Sequence, residues 1–147
     1  MARIRHIALG AMDTEATARF YIETFGMKLV HRHPGKRIKG RDAIYLSDGH
    51  INLAILPAGE GRPEGINHFG FQVDSMDGTS ERALASGARQ GIKRREAYVE
   101  GRWAGTTFAE AGFVDPAGTS VDLSEQGWRL EPAEDAPVAE VEQAATA

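Results

Sequence analysis

Two histidines stand in matching stretches of the chain, Arg5-His6-Ile7-Ala8-Leu9-Gly10-Ala11-Met12-Asp13 and Asn67-His68-Phe69-Gly70-Phe71-Gln72-Val73-Asp74. They lie 62 residues apart, and each leads an alternating strand followed by an acidic helix start. Imidazole is the commonest metal ligand and titrates near neutral pH, so a duplicated histidine points to metal or acid-base chemistry. Taken alone, a strand-borne histidine is equally a hydrogen-bonded core or rim residue. The 147 residues include no cysteine, which removes a thiolate nucleophile, a disulfide framework and Cys-ligated zinc. Any metal must then be held by imidazole, carboxylate, amide or water.

The elements that position these histidines also come twice. In the first copy Asp13 is the expected N-cap, and Ala18, Tyr21, Ile22 and Phe25 follow i, i+3, i+4, i+7 spacing up to a left-handed exit at Gly26. In the second, Met76, Ala83 and Leu84 form a weaker apolar stripe with Gly87 as its stop. Strand-like segments follow at 28–32, 43–47 and 51–56, and again at 90–98, 107–114 and 120–124. Both copies close on a turn and an alternating strand: Asp48-Gly49-His50-Ile51-Asn52-Leu53, and Asp115-Pro116-Ala117-Gly118-Thr119-Ser120-Val121-Asp122-Leu123. Each copy therefore reads βαβββ. The expected organisation is one domain over 1–130, with module one at about 3–57, a Gly- and Pro-rich linker at 58–65 and module two at about 66–128.

Composition narrows the function classes. The net charge of −4 comes from the end of the chain, where 131–147 hold five acids and no Lys or Arg; the first 130 residues carry 17 basic against 16 acidic side chains. A nearly neutral body offers no electrostatic footprint for nucleic acid. The acidic tail, 131–147, is weakly apolar and reads as flexible. No run approaches the roughly 20 apolar residues that cross a bilayer, so no membrane partner is expected and a cytoplasmic location is.

The strings His6-Ile7-Ala8-Leu9, Phe20-Tyr21 through Phe25-Gly26-Met27, Asn67-His68-Phe69-Gly70-Phe71 and Asp115-Pro116-Ala117-Gly118 through Val121-Asp122-Leu123 resemble the vicinal oxygen chelate superfamily of glyoxalases, bleomycin-resistance proteins and extradiol dioxygenases. The resemblance spans about residues 3–126. It implies an α+β fold in which two βαβββ modules pair into a curved eight-stranded cup around a divalent metal ion (Fe, Mn, Ni, Co or Zn). Ligands in that family come from the first and last strands of each module, which selects His6, Asn52, His68 and Asp122. Alternation agrees: Ile7 and Leu9, Ile51 and Leu53, Phe69 and Phe71, and Val121 and Leu123 flank these four, so an apolar set packed on the helices leaves the polar set on the opposite face.

The resemblance also implies a small-molecule substrate that chelates the ion through neighbouring oxygens, with Asp122 the catalytic carboxylate as well as a ligand. The sequence departs from the family where glutamate is common. Asp122 is one methylene shorter, and Asn52 cannot accept a proton as a glutamate base would. Glyoxalase-like lyase or isomerase chemistry is the leading expectation. A His-His-Asp triad also suits an extradiol dioxygenase, and a metal-free, bleomycin-resistance-like binding protein is the alternative outside enzymes. Many two-module relatives pair, so a homodimer is expected.

The remaining polar residues read more plainly. His31, His33 and His50 are expected at the surface. Lys36, Arg37, Lys39 and Arg41, with Lys93, Arg94 and Arg95, read as solvated strand edges. Residues 98–108, including Trp103, read as a lid or pocket wall.

Overall fold

The computed structural model describes residues 1–35, 38, 40–91, 98–99, 102–103 and 110–132. Its first strand, β1 (Arg3–Ala11), runs into α1 (Thr14–Phe25). Asp13 starts this helix with extended φ and ψ of −116° and 95°, its carboxylate accepting from the Ala16 N–H at 2.9 Å. Gly26 ends it in the left-handed region at φ 68°, its N–H donating to the Ile22 carbonyl at 3.0 Å. Ala18, Tyr21 and Ile22 face the core as their spacing predicts. Phe25 does not: it is the last helical residue, packs edge-on against Phe20 and stays 65% exposed.

Three strands complete the first half: β2 (Lys28–His33), β3 (Ala43–Ser47) and β4 (Asn52–Pro57). The second half opens with β5 (Gly65–Gln72) and α2 (Met76–Ala85). Ser75 caps α2, its hydroxyl accepting from the Gly78 N–H at 3.1 Å. Met76 is buried beneath the helix and Ala83 packs on the core, whereas Leu84, expected in the apolar stripe, stays half exposed at a cavity that it lines with Met76, Ala111 and Phe113.

The strands β6 (Arg89–Gln90), β9 (Ala111–Val114) and β10 (Ser120–Ser124) finish the sheet. A separate hairpin pairs β7 (Tyr98–Val99) with β8 (Arg102–Trp103). The expected strands at 90–98 and 107–114 are thus represented by Arg89–Gln90, Tyr98–Val99 and Ala111–Val114, and their other residues at 92–97 and 107–109 lie outside the described set. So do Lys36, Arg37, Lys39, Lys93, Arg94 and Arg95, most of the expected lid, and the tail from 133 onward.

The eight-stranded sheet is open, in the order β2-β3-β4-β1-β5-β10-β9-β6. Its centre is the antiparallel pair β1 and β5, each flanked by the last strand of its own half in parallel, β4 beside β1 and β10 beside β5. The duplicated sequence thus becomes two sheet halves joined through the histidine-bearing strands. Each half packs one face on its helix. Ala18, Ile44, Leu46 and Ile55 are central to the first core, and Met76, Phe113 and Leu123 to the second. Each fully buried aliphatic side chain of this kind contributes about 1.5–3 kcal/mol, so the helices fix which way the sheet curves and which side chains remain for the other face.

Beyond β10 the chain returns across that other face. The Gln72 amide donates to the Glu125 carbonyl at 3.2 Å, Trp128 lies over β1, and the Asn52 amide donates to the Arg129 carbonyl at 2.7 Å. This strap crosses β5, β1 and β4 in turn. It carries the chain over the first half of the cup, where Ala8 and Ala54 are buried.

Candidate functional site

His6 is buried on the concave face because Ile7 and Leu9 pack on the helix-side core and the strand alternates. Its Cα partners are Asn52 on β4 and Gly70 on β5, and Gly70 in turn pairs with Asp122 on β10. A single row across four strands therefore carries Asn52, His6, Gly70 and Asp122 on one surface. His68 sits two residues before Gly70 on the same side. The structure brings all four expected site residues into one neighbourhood.

The contacts within it are specific. His6 Nε2 stands 3.2 Å from His68 Nε2, and His68 Nε2 stands 3.1 Å from Asp122 Oδ2. Asn52 has a different place from these three. Its Oδ1 lies 3.0 Å from His6 Nδ1 while its Nδ2 donates to the Arg129 carbonyl. A carbonyl only accepts, so the Asn52 amide orientation is fixed, Oδ1 faces the imidazole, and His6 Nδ1 must donate. The His6 Nε2 lone pair is then left pointing at His68. On the other side Asn67 Oδ1, at 2.8 Å, takes the Nδ1–H of His68 and leaves its Nε2 lone pair pointing back.

With these tautomers two imidazole lone pairs and a carboxylate oxygen converge, an arrangement that a cation between them stabilises; with the other His68 tautomer, Nε2–H donates to Asp122 instead. Two ligand atoms each about 2.1 Å from one ion stand roughly 3.0–3.4 Å apart between right-angle and tetrahedral arrangements, a range that contains both observed separations. Among the described residues no three His, Asp or Glu side chains already close around one point; the contacts run in line from His6 through His68 to Asp122. The donor types fit a divalent ion, and closing them round one point requires Asp122 or His6 to move. An amide or carboxylate on the far nitrogen is the usual support for a metal-binding imidazole, fixing its tautomer and orientation, and Asn52 and Asn67 occupy that position here.

Burial, and next the neighbouring His68, push the His6 pKa down from 6.5 to about 4. His6 is therefore neutral at physiological pH, the form a metal needs.

Three residues not anticipated from the sequence complete the site. Trp128 stacks flat on His6, with ring centroids 4.9 Å apart and planes 4° apart. Gly70 makes that possible: a Cβ there would come within 2.5 Å of the Trp128 ring and 2.8 Å of His6 Cβ. Asn67 fixes His68. A glycine inside a strand marks close approach by another group, so Gly70 carried a readable signal; Trp128 carried none, since only the path of the strap places it.

His31 corrects an expectation. It is not a plain surface residue, because its pairing with Tyr45 across β2 and β3 puts it on the concave face. There it stacks on the Tyr45 ring at 4.1 Å, and burial followed by the charge of Arg129 pushes its pKa down to about 4. His50 is exposed as expected, and His33 is partly so, its Nδ1 lying 3.0 Å from the Pro34 carbonyl oxygen. Arg41 donates to the Met12 carbonyl at 2.8 Å.

Comparison with known proteins agrees with this architecture. An uncharacterized protein of Pseudomonas aeruginosa, PA2024, is 33% identical over 132 residues, covering 82% of this chain and 86% of its own. A probable chloroplastic lactoylglutathione lyase of Arabidopsis thaliana is 28% identical over 88% of this chain, which spans 37% of that protein. Among solved structures, methylmalonyl-CoA epimerase from Mycobacterium tuberculosis superposes with a TM-score of 0.61 at 18% identity, covering 88% of this chain and 87% of that one. The 2,3-dioxygenase LapB from Pseudomonas sp. KL28 gives 0.65 at 19% identity over 88% of this chain and 42% of its own. The model of the Glyoxalase/Bleomycin resistance protein/Dioxygenase superfamily matches residues 3–123, and with the paired half-sheets described above the chain belongs to that superfamily.

Proposed function

We propose that this protein is a divalent-metal-dependent enzyme of glyoxalase-like lyase or isomerase type, with His6, His68 and Asp122 as the ligands and Asn52 orienting His6 from behind. The observation that carries the reading is the approach of two Nε2 atoms to 3.2 Å with a carboxylate oxygen 3.1 Å from one of them. When bound, the ion supplies Lewis acidity toward a substrate carrying neighbouring oxygens. His6, held neutral by burial and by Asn52, donates electron density without competing for a proton. Trp128 and the strap keep water from the His6 side, whereas His68 and Asp122 are the more open members, so substrate approaches over β10. Asp122, at that open side, is the carboxylate placed to accept a proton from a carbon next to a substrate carbonyl and return it.

Superfamily membership and relatives named as a lyase and an epimerase support this class of reaction. The test is proton exchange: protein loaded with Ni(II), Co(II), Zn(II) or Mn(II) is incubated in deuterium oxide with a panel of 2-oxo acids, 2-hydroxy ketones and thiohemiacetals. Deuterium incorporation that disappears in Asp122→Asn supports the proposal. Absence of exchange across the panel with every metal counts against it.

The two-histidine, one-carboxylate set favours one second reading, an extradiol dioxygenase. Anaerobic loading with Fe(II), followed by catechols and oxygen, yields ring-cleavage absorbance if that reading is right. A metal-free binding protein remains the alternative outside enzymes; elemental analysis of tag-free protein separates it, because that reading requires no stoichiometric metal. The proposal includes a homodimer in the cytoplasm. Phe20 and Phe25 leave an exposed aromatic patch on α1 for a second copy, and among the described residues no helix is long and apolar enough to cross a membrane. Light scattering on wild type and Phe20→Glu checks the dimer.

A further inference from the structure

The first half of the cup holds a second polar cluster that the metal chemistry does not use. His31 on β2, Tyr45 on β3, Ala54 on β4, Ala8 on β1 and His68 on β5 are successive Cα partners in one row. Partners in a row point to the same face. His31 and Tyr45 therefore share the concave surface with His68, and the two side chains between them are the small ones of Ala54 and Ala8.

His31 lies flat on Tyr45, with centroids 4.1 Å apart and planes 10° apart. Both of its ring nitrogens are shielded from solvent and neither has a hydrogen-bond partner. A neutral imidazole has one donor and one acceptor to satisfy, and a buried polar group left unpaired is costly, so this geometry suits an added partner. The surroundings favour a negative one. Arg129 and His33 are the charges His31 feels; Tyr45 beneath it feels Glu110 first and Arg62 second, so the pull on an anion is at the imidazole and not at the phenol. Arg129 is held in place through its backbone, whose carbonyl accepts from Asn52.

We propose that His31, on its Tyr45 shelf and with Arg129 nearby, forms an oxyanion-binding subsite in the first half of the cup. A carboxylate or phosphate oxygen accepts the His31 N–H, and Arg129 supplies the charge. The subsite stands independently of the metal reading. Where both hold, the ligand of the cup carries an acidic group in addition to its chelating oxygens.

The experiment is a histidine side-chain NMR titration of the tag-free full chain with sodium acetate and, separately, inorganic phosphate, at constant ionic strength against sodium chloride. His31→Phe, which retains a ring to stack on Tyr45, identifies the His31 signals. The expected result is a saturable shift of those signals, with the dissociation constant raised at least fivefold in Arg129→Gln. A response to acetate alone identifies a carboxylate subsite, and one to phosphate alone a phosphate subsite; either supports the proposal. No saturable shift with either anion overturns it, as does an equal response in Arg129→Gln, an exposed position whose change leaves the fold intact. Ni(II) binding measured on His31→Phe stays unchanged, so failure of the subsite and failure of the metal centre are read separately.

Discussion

Replacing Gly70 with alanine sets a methyl group 2.5 Å and 2.6 Å from two ring carbons of Trp128 and 2.8 Å from His6 Cβ. Ordinary carbon contacts begin about 1 Å further out, so the indole must lift or His6 must tilt. Lifting Trp128 gives up a stacked pair worth about 0.5–1.5 kcal/mol beyond its burial. Forcing a methyl into a filled space costs about 1–3 kcal/mol. Part of the strain is relieved by the ring's movement, so the two do not add in full, and a net loss of roughly 2 kcal/mol follows. For a domain of this size that corresponds to a fall in Tm of about 5–10 °C.

The same displacement loosens His6, and disturbing the support of a metal ligand lowers affinity about 10–100-fold. With two tryptophans in the chain, the measurement belongs in a Trp103→Phe background, where emission reports Trp128 alone. The expected outcome is a red-shifted emission, the lowered Tm and weakened Ni(II) binding together. A Gly70→Ala protein with unchanged Tm, emission and metal affinity would refute the packing of strap on histidine.

Three further outcomes follow from the same contacts. Asn52→Ala leaves the buried Nδ1–H of His6 without its acceptor and frees the Arg129 carbonyl, so urea unfolding should show a loss of about 1–3 kcal/mol and calorimetry a 10–100-fold weaker metal site. In metal-free protein the unfolded chain binds more protons than the folded one between the ordinary histidine value of 6.5 and the folded His6 value of about 4; stability is full above that window and falls as pH drops through it, by about 3 kcal/mol from His6. His31 acts in the same direction, with a smaller effect because it is only half buried, and urea midpoints against pH for His6→Phe and His31→Phe separate the two. By contrast, Glu15→Gln, which breaks the exposed pair with Arg32, should cost less than about 1 kcal/mol in thermal unfolding.

The parts of this design that depend on local pattern were legible in the sequence. Alternation placed His6, His68 and Asp122 on the face opposite Ile7, Phe69 and Val121, and Asp13 and Gly26 marked the ends of α1, because capping and strand pleat are set within a few residues. What depends on register was not legible. The closing strings of the two copies look alike, yet His6 pairs with Asn52 whereas His68 pairs with Ser120, and Asp122 sits one step further along opposite Gly70. That offset is why Asn52 meets the back of an imidazole while Asp122 meets the front. His31 was misjudged for a related reason. It stacks on Tyr45 of the neighbouring strand and feels Arg129, some hundred residues away in sequence, and no local window contains either. Phe25 fits the helical period and still faces out, since the last turn before a left-handed exit no longer follows the stripe.

His6, His68 and Asp122 are proposed to share one cation, and titration of tag-free apoprotein with Co(II), followed by visible ligand-field absorption and calorimetry, is the decisive measurement. The expected result is one ion per chain, bands characteristic of imidazole and carboxylate coordination, and loss of at least 100-fold in affinity in His68→Ala, with Asp122→Asn also weakened. Variants that bind Co(II) as tightly as wild type, with unchanged spectra, would contradict it.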